Sequence, residues 1–121
     1  ARKREQDRQL NQKREAEKQR REQVARARQL IDGHRLNEPE AEHRYNFQEG
    51  RFVRSIRVTP AQRKALAMGR MAILRGYRGE FDFPLVPREI AQKLAEFAPE
   101  RVLLLYPESS GDEAEDEWGD W

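Results

Sequence analysis

Residues 45–74 read YNFQEGRFVRSIRVTPAQRKALAMGRMAIL, and how this run divides into elements decides the fold. Tyr45 and Phe47 alternate with polar residues, and so do Phe52, Ile56 and Val58, with Arg54 intruding. That is the period-2 pattern of two strands with one buried face. A two-residue turn at Glu49-Gly50 would pair Gln48 with Arg51, Phe47 with Phe52 and Tyr45 with Arg54. Both phenyl rings would then share one face. Glu-Gly is a poorer turn signal than Asn-Gly, so a bulged three-residue loop stays open as the alternative. TPAQ follows at once. Thr59 can cap a helix, Pro60 suits its first position, and Gln62 stands three after the cap, a capping box in its Gln form. The spacing predicts a helix from there to about Arg75, ending at Gly76. Gly69 would fall in mid-helix, where glycine costs about 1 kcal/mol relative to alanine, which predicts close approach of another backbone.

Outward from this run the chain changes character on both sides. Downstream, EFDFPLVP predicts a strand with Phe81, Phe83 and Leu85 on one face, and Pro84 limits it to an edge or a short length. REIAQKLAEFA predicts a second helix, opened by Pro87 and closed by Pro99, with Ile90, Leu94 and Phe97 on its apolar stripe. VLLLY, Val102 to Tyr106, predicts a buried strand. Upstream, HRLNEPEAEHR is a polar loop. The residues ahead of it, ARKREQDRQLNQKREAEKQRREQVARARQLIDG, are good helix formers free of proline and predict one long helix stopped near Gly33. Glu17 with Arg21 and Glu22 with Arg26 are acid-before-base pairs four apart, the better order on a helix. Leu10, Val24 and Ile31 keep a heptad register, but Glu17 takes the missing place, so a sustained coiled coil is not expected. Only Val24 to Ile31 is apolar enough to dock on a core. The expected fold class is α+β: a basic helical arm at 1–28, a compact domain at 29–107 and an acidic, disordered tail at 108–121.

Charge is strongly polarised along these parts. Residues 1–28 carry eleven Lys/Arg against five Asp/Glu, and residues 108–121 carry seven acids and no base, within 121 residues of net charge +2. With 36% hydrophobic and 38% charged residues and a mean hydropathy of −1.10, the whole length is too polar to pack as one globule. No apolar run reaches the roughly 20 residues needed to span a bilayer. The absence of cysteine fits a reducing compartment such as the cytoplasm, and Ala1 in place of methionine suggests a processed or shortened chain.

The candidate function follows from the cations. Along the arm, Arg2, Lys3, Arg4, Arg8, Lys13, Arg14, Lys18, Arg20, Arg21, Arg26 and Arg28 would attract phosphates with little sequence preference, and guanidinium groups favour bidentate contacts. A second basic group is Arg54, Arg57, Arg63, Lys64 and Arg70. In the expected register Arg54 faces Tyr45, where a cation–π contact could hold it. Tyr45, Phe47 and Phe52 have the spacing of core residues, and a platform for stacked bases is the lesser alternative. The two histidines, His34 and His43, stand nine apart in one polar loop, which is no metal spacing. Glu38, Glu40 and Glu42 beside His43 read as a solvated acidic loop. No Gly-rich phosphate loop and no Ser/His/Asp frame is present. Catalysis, cofactor and metal are therefore not expected. The tail, with Trp118 and Trp121, reads either as a solubilising segment or as a competitor for the basic surface that could also anchor a protein partner.

In this order the segments resemble a bacterial family of unknown function labelled nucleoprotein/polynucleotide-associated. The likeness rests on Tyr45, Asn46, Phe47 and Gly50 in the hairpin, on Val58-Thr59, and on Gly69, Arg70, Ala72 and Ile73. Val86, Pro87 and Ala91 complete it. It covers residues 29–107 well and the arm weakly, and the ending EWGDW departs from the Pro-Asp-Asp-Leu segment common in that family. The resemblance implies this fold and an association with nucleic acid. It implies no reaction. The basic helix, which would become ordered against phosphates, sets the expectation of a non-enzymatic adaptor on nucleic acid, RNA before DNA, in a setting such as a ribonucleoprotein particle. The competing expectation is a protein-interaction module that meets nucleic acid incidentally.

Overall fold

The computed structural model describes residues 2–108. The expectations placed on the acidic tail beyond Glu108, Trp118 and Trp121 included, lie outside the described residues, as does the side chain of Arg2. Helix α1 spans Arg2–Asp32, strand β1 His43–Glu49, β2 Phe52–Val58, helix α2 Pro60–Ala67, β3 Met71–Leu74, β4 Leu85–Pro87, helix α3 Arg88–Ala95 and β5 Val102–Leu104, with a 3-10 turn at Pro99–Arg101 before β5. The fold is α+β. Strands β1 and β2 form an antiparallel hairpin, and a separate antiparallel sheet has the order β4-β3-β5.

Strand β3 organises the core because both of its faces are covered. Ala72 and Leu74 pack with Ala27 and Ile31 of α1 and with Ile90, Ala91 and Leu94 of α3. Met71 and Ile73 pack on the other side with Phe47 and Val58 of the hairpin, Leu66 of α2, Phe83 and Leu85. All four β3 residues are buried. A strand buried on both faces loses its alternation and becomes a continuous apolar run, MAIL, which periodicity alone does not separate from a buried helix. The expected helix to Arg75 is therefore corrected: α2 ends at Ala67 and residues 71–74 are strand.

The start of α2 is as read from the sequence. The Thr59 side chain accepts from the Gln62 amide at 3.1 Å, and the Gln62 side chain accepts from the Thr59 amide at 3.0 Å, a cap of about 1 kcal/mol. Gln62 is buried and donates its remaining amide to the Leu36 carbonyl at 2.7 Å, so it also ties down the polar loop. The end of α2 is a Schellman motif built on Gly69. The Gly69 amide donates to Leu66 O at 3.2 Å and the Arg70 amide to Ala65 O at 2.9 Å, with Gly69 at φ +74°. That geometry requires a left-handed residue after the cap. A close backbone approach does exist at Gly69, from the Tyr106 and Pro107 carbonyls that follow β5.

The hairpin forms one step away from the expected register. Glu49 pairs with Phe52, Phe47 with Arg54 and Tyr45 with Ile56, so the turn residues are Gly50 and Arg51. Gly50 has φ +60° and no other hairpin residue is positive, the pattern of a II′ turn with glycine first. The pairing shift preserves which residues share a face, because it moves partners by two. It carries Phe52 to the end of the ladder, however, where it is 55% exposed. The expectation of a core Phe52 is thus corrected, and so is the Arg54–Tyr45 pairing.

Two other expectations change in detail. The strand in EFDFPLVP is only Leu85–Pro87. It is an edge strand as Pro84 required, with Phe83 buried just ahead of it and Phe81 out at the surface. The VLLLY strand is half-buried rather than buried, since β5 is the other edge. The loop after α1 is stitched to β4: the Leu36 amide donates to Leu85 O at 2.8 Å, and Asn37 accepts from the Leu85 amide at 2.8 Å and donates to Phe83 O at 3.1 Å.

Candidate nucleic-acid interface

The arm is one unbroken helix about 46 Å long at 1.5 Å per residue. It docks through its last two turns, where Ala27 and Ile31 are fully buried and Leu30 is partly so. Val24 stays 43% exposed, so docking begins about a turn later than its apolar character suggested. Residues 3–26 are all exposed. With about 100° between successive residues, Lys3, Arg4, Arg8, Arg14, Lys18 and Arg21 fall within a sector about 140° wide. That sector is centred opposite the Ala27–Ile31 face. Asp7, Glu15 and Glu22 share it, which leaves bases in excess. Lys13 and Arg20 lie on the line of the docked face but well ahead of the body. Arg26 and Arg28 are placed differently: the first stacks on the Phe97 ring at 4.6 Å and the second over Tyr77 at 5.3 Å. Both contacts fix where α1 leaves the body.

Within the body the arginines divide into two sets. One set is engaged in the structure. Arg35 clamps Asp82 with two hydrogen bonds of 2.7 Å and donates to Asp32 at 2.9 Å. Arg75 donates to Glu49 at 2.6 Å and lies over the Phe83 ring. Arg54 donates to the same carboxylate at 3.1 Å, with Glu80 at 3.8 Å. Arg88 reaches the Gly69 and Tyr106 carbonyls, each at 2.8 Å, and Arg101 stacks on Tyr77 at 3.8 Å. The Arg35 contact holds the Asp82 carboxyl below its ordinary range, the Arg75 contact does the same for Glu49, and the Arg35 guanidinium is pushed up in turn by Asp82. Burial, with the nearby Tyr106 hydroxyl, pushes Tyr45 up to about 12.

These shifts have a sign. A carboxyl depressed on folding stabilises the protein above its unfolded value, near 4, and that contribution is lost as pH falls through the folded value. Stability is expected to stay level from neutral pH to about 5 and to drop below about 4. Asp82→Asn should lower the plateau by about 2 kcal/mol, less than for a fully buried pair because both partners retain some solvent contact, and should flatten the acid limb. Thermal unfolding between those pH values checks it. A variant with the native acid limb would contradict the assignment.

The exposed arginines are Arg44, Arg51, Arg57, Arg63, Arg70 and Arg78, together with Lys64; Arg78 lies 3.6 Å from Asp32. Of the second basic group, then, Arg57, Arg63, Lys64 and Arg70 reach the surface, whereas Arg54 is held in an ion pair and between rings. Arg63 lies close enough to the Tyr45 hydroxyl to oppose the rise in its pKa. Residues paired directly across an antiparallel ladder share a face. The outer face of the hairpin accordingly carries Arg44 opposite Arg57, Asn46 opposite Ser55 and Gln48 opposite Val53, all exposed. The Arg44–Arg57 pair was hidden from sequence reasoning because the expected register sets Arg44 against Ser55. The correct register was signalled by Gly50 as the first turn residue.

Among the described residues, no three His, Cys, Asp or Glu side chains converge as a metal site, and no helix is long and apolar enough to cross a membrane.

The architecture is a long docked helix with a basic outer sector on a small α+β body. The chain belongs to the family described as "Uncharacterized protein conserved in bacteria" (DUF2058), which it matches over residues 1–121. That description makes no mention of nucleic acid. No curated protein and no solved structure matches the chain.

Proposed function

We propose that this chain is a non-enzymatic, nucleic-acid-associated adaptor, RNA before DNA, working in the cytoplasm within a ribonucleoprotein setting. The observation that carries the reading is the outward basic sector of α1. Ala27 and Ile31 fix the helix to the body, and six of the cations ahead of them point away from it. A helix so polar has little reason of its own to stay ordered beyond its docked turns. Phosphates along that sector would supply the missing stabilisation by releasing their counterions. The body sets the direction of the arm and adds Arg57, Arg63, Lys64 and Arg70. The acidic segment 108–121 would compete with phosphates for these cations and weaken non-specific binding.

A second reading, a protein-interaction module, draws on Leu10 and Val24, which are 49% and 43% exposed on α1 and would suit a partner helix. Salt separates the two. Titrating the full chain into a labelled unpaired RNA is expected to show binding at about 0.05 M salt that weakens on the order of a hundredfold by about 0.2 M. Absence of binding in the dilute buffer would remove the adaptor reading, and a protein partner that stays bound to the chain at about 0.5 M salt after nuclease treatment would favour the interaction module.

A further inference from the structure

Two phenylalanines stand at the surface of the body. Phe81 is 71% exposed and Phe52 is 55% exposed. They share one guanidinium: the Arg54 carbon lies 4.8 Å from the Phe52 ring centre and 5.2 Å from that of Phe81. Arg54 is in turn fixed by Glu49, which Arg75 also holds. The rings are therefore positioned by an ionic anchor beneath them and not by burial, which leaves their remaining surface to solvent. Phe81 also borders an open cavity of about 360 Å³, with Ile56 and Phe83 as apolar lining and Arg57 at its margin. Arg35 and Asp82 in the same lining neutralise each other through their two hydrogen bonds, so Arg57 and Glu38 are the charges left there. The positive excess comes from Arg51, exposed next to Phe52 in the turn.

An anion can be met by Arg57 at the cavity that Phe81 borders and by the exposed Arg51 next to Phe52, and the exposed rings favour a ligand with flat π-faces. A duplex offers phosphates but keeps its bases stacked on one another. An unpaired polynucleotide offers both phosphates and free base faces.

We propose that Phe52 and Phe81 form a stacking platform for bases of an unpaired RNA strand, whose phosphates are met by Arg51 and Arg57. This rests on the adaptor reading and adds to it a preference: the arm binds any polyanion, while the platform selects the unpaired strand. The rings act through their π-faces, so leucine, equally apolar, does not replace them and tyrosine does.

The test uses the full chain and three probes of one length: a single-stranded RNA, its duplex, and a single-stranded DNA of the same sequence. The double variant Phe52→Leu/Phe81→Leu is expected to bind the unpaired RNA more weakly by about tenfold or more, with duplex binding unchanged within about twofold. The corresponding double tyrosine variant is expected to bind as the native chain does. Arg51→Gln/Arg57→Gln is expected to weaken every probe. The single-stranded DNA names the source, since the strand with the larger loss on leucine substitution is the one the platform serves. Native binding of unpaired RNA by the double leucine variant, or an equal loss on duplex, would overturn the platform while leaving the arm intact. It would also leave the rings to a protein surface. A native chain that binds none of the probes would overturn the adaptor reading itself. A crosslink from a photoactivatable uridine in the RNA to the native chain needs no variant. It is expected within residues 51–57 or 80–83, and crosslinks confined to α1 would overturn the platform.

Discussion

Gly69→Ala is expected to destabilise the protein by about 3 kcal/mol or more, from two effects that add. Gly69 closes the Schellman motif at φ +74°, where an L-residue costs about 1–2 kcal/mol. A Cβ at this position would also stand 2.5 Å from the Tyr106 carbonyl oxygen and 2.6 Å from that of Pro107. Both are backbone atoms, so no side-chain rotation can make room. The segment after β5 would have to move away, and with it the Arg88 contacts to Gly69 O and Tyr106 O. Gly50→Ala is the control. Its φ is +60°, but nothing lies within 4 Å of an added Cβ, so only the conformational cost of about 1 kcal/mol is expected. Urea unfolding of the two variants measures both. Equal losses would mean that the close approach at Gly69 carries no energy.

Neutralising the outer sector of α1 should have the largest effect on binding. Glutamine in place of Lys3, Arg4, Arg8, Arg14, Lys18 and Arg21 removes six cations and keeps good helix propensity. All six are exposed, so the melting temperature should hardly change. The affinity for unpaired RNA at low salt is expected to fall by at least about a hundredfold. Placing six glutamines instead at Arg26, Arg28, Arg35, Arg75, Arg88 and Arg101 would reverse the pattern, because these side chains hold rings, carboxylates and carbonyls of the fold. Stability would fall steeply there, and any loss of binding would follow from it.

Local signals in the sequence proved the more legible. The long helix ending at Gly33, the Thr59–Gln62 box, the edge position imposed by Pro84 and helix α3 after Pro87 are each written in a few neighbouring residues. MAIL was not legible in the same way. A strand covered on both faces has no period, and only the elements packed on it, α1 and α3 on one side and the hairpin with α2 on the other, make it a strand. Gly69 was the available clue, since glycine after AQRKALAM ends a helix at least as naturally as it interrupts one. The register of the hairpin turned on whether Gly50 is the first or the second turn residue, and that single step decided the surroundings of Phe52, Arg44 and Arg54. The basic arm was legible from composition. The division of the body's arginines into engaged and exposed sets was not, because their partners Asp82, Glu49 and Tyr77 are brought to them by tertiary structure.

The account depends most on the arm meeting phosphates. The direct measurement is the slope of log affinity against log salt for an unpaired RNA, taken for the native chain and for the six-glutamine variant. Each phosphate neutralised on a single strand contributes about 0.7 to that slope. The account predicts a native slope steeper than that of the variant by up to about 4, approached as all six side chains engage. Parallel slopes for the two proteins would contradict it.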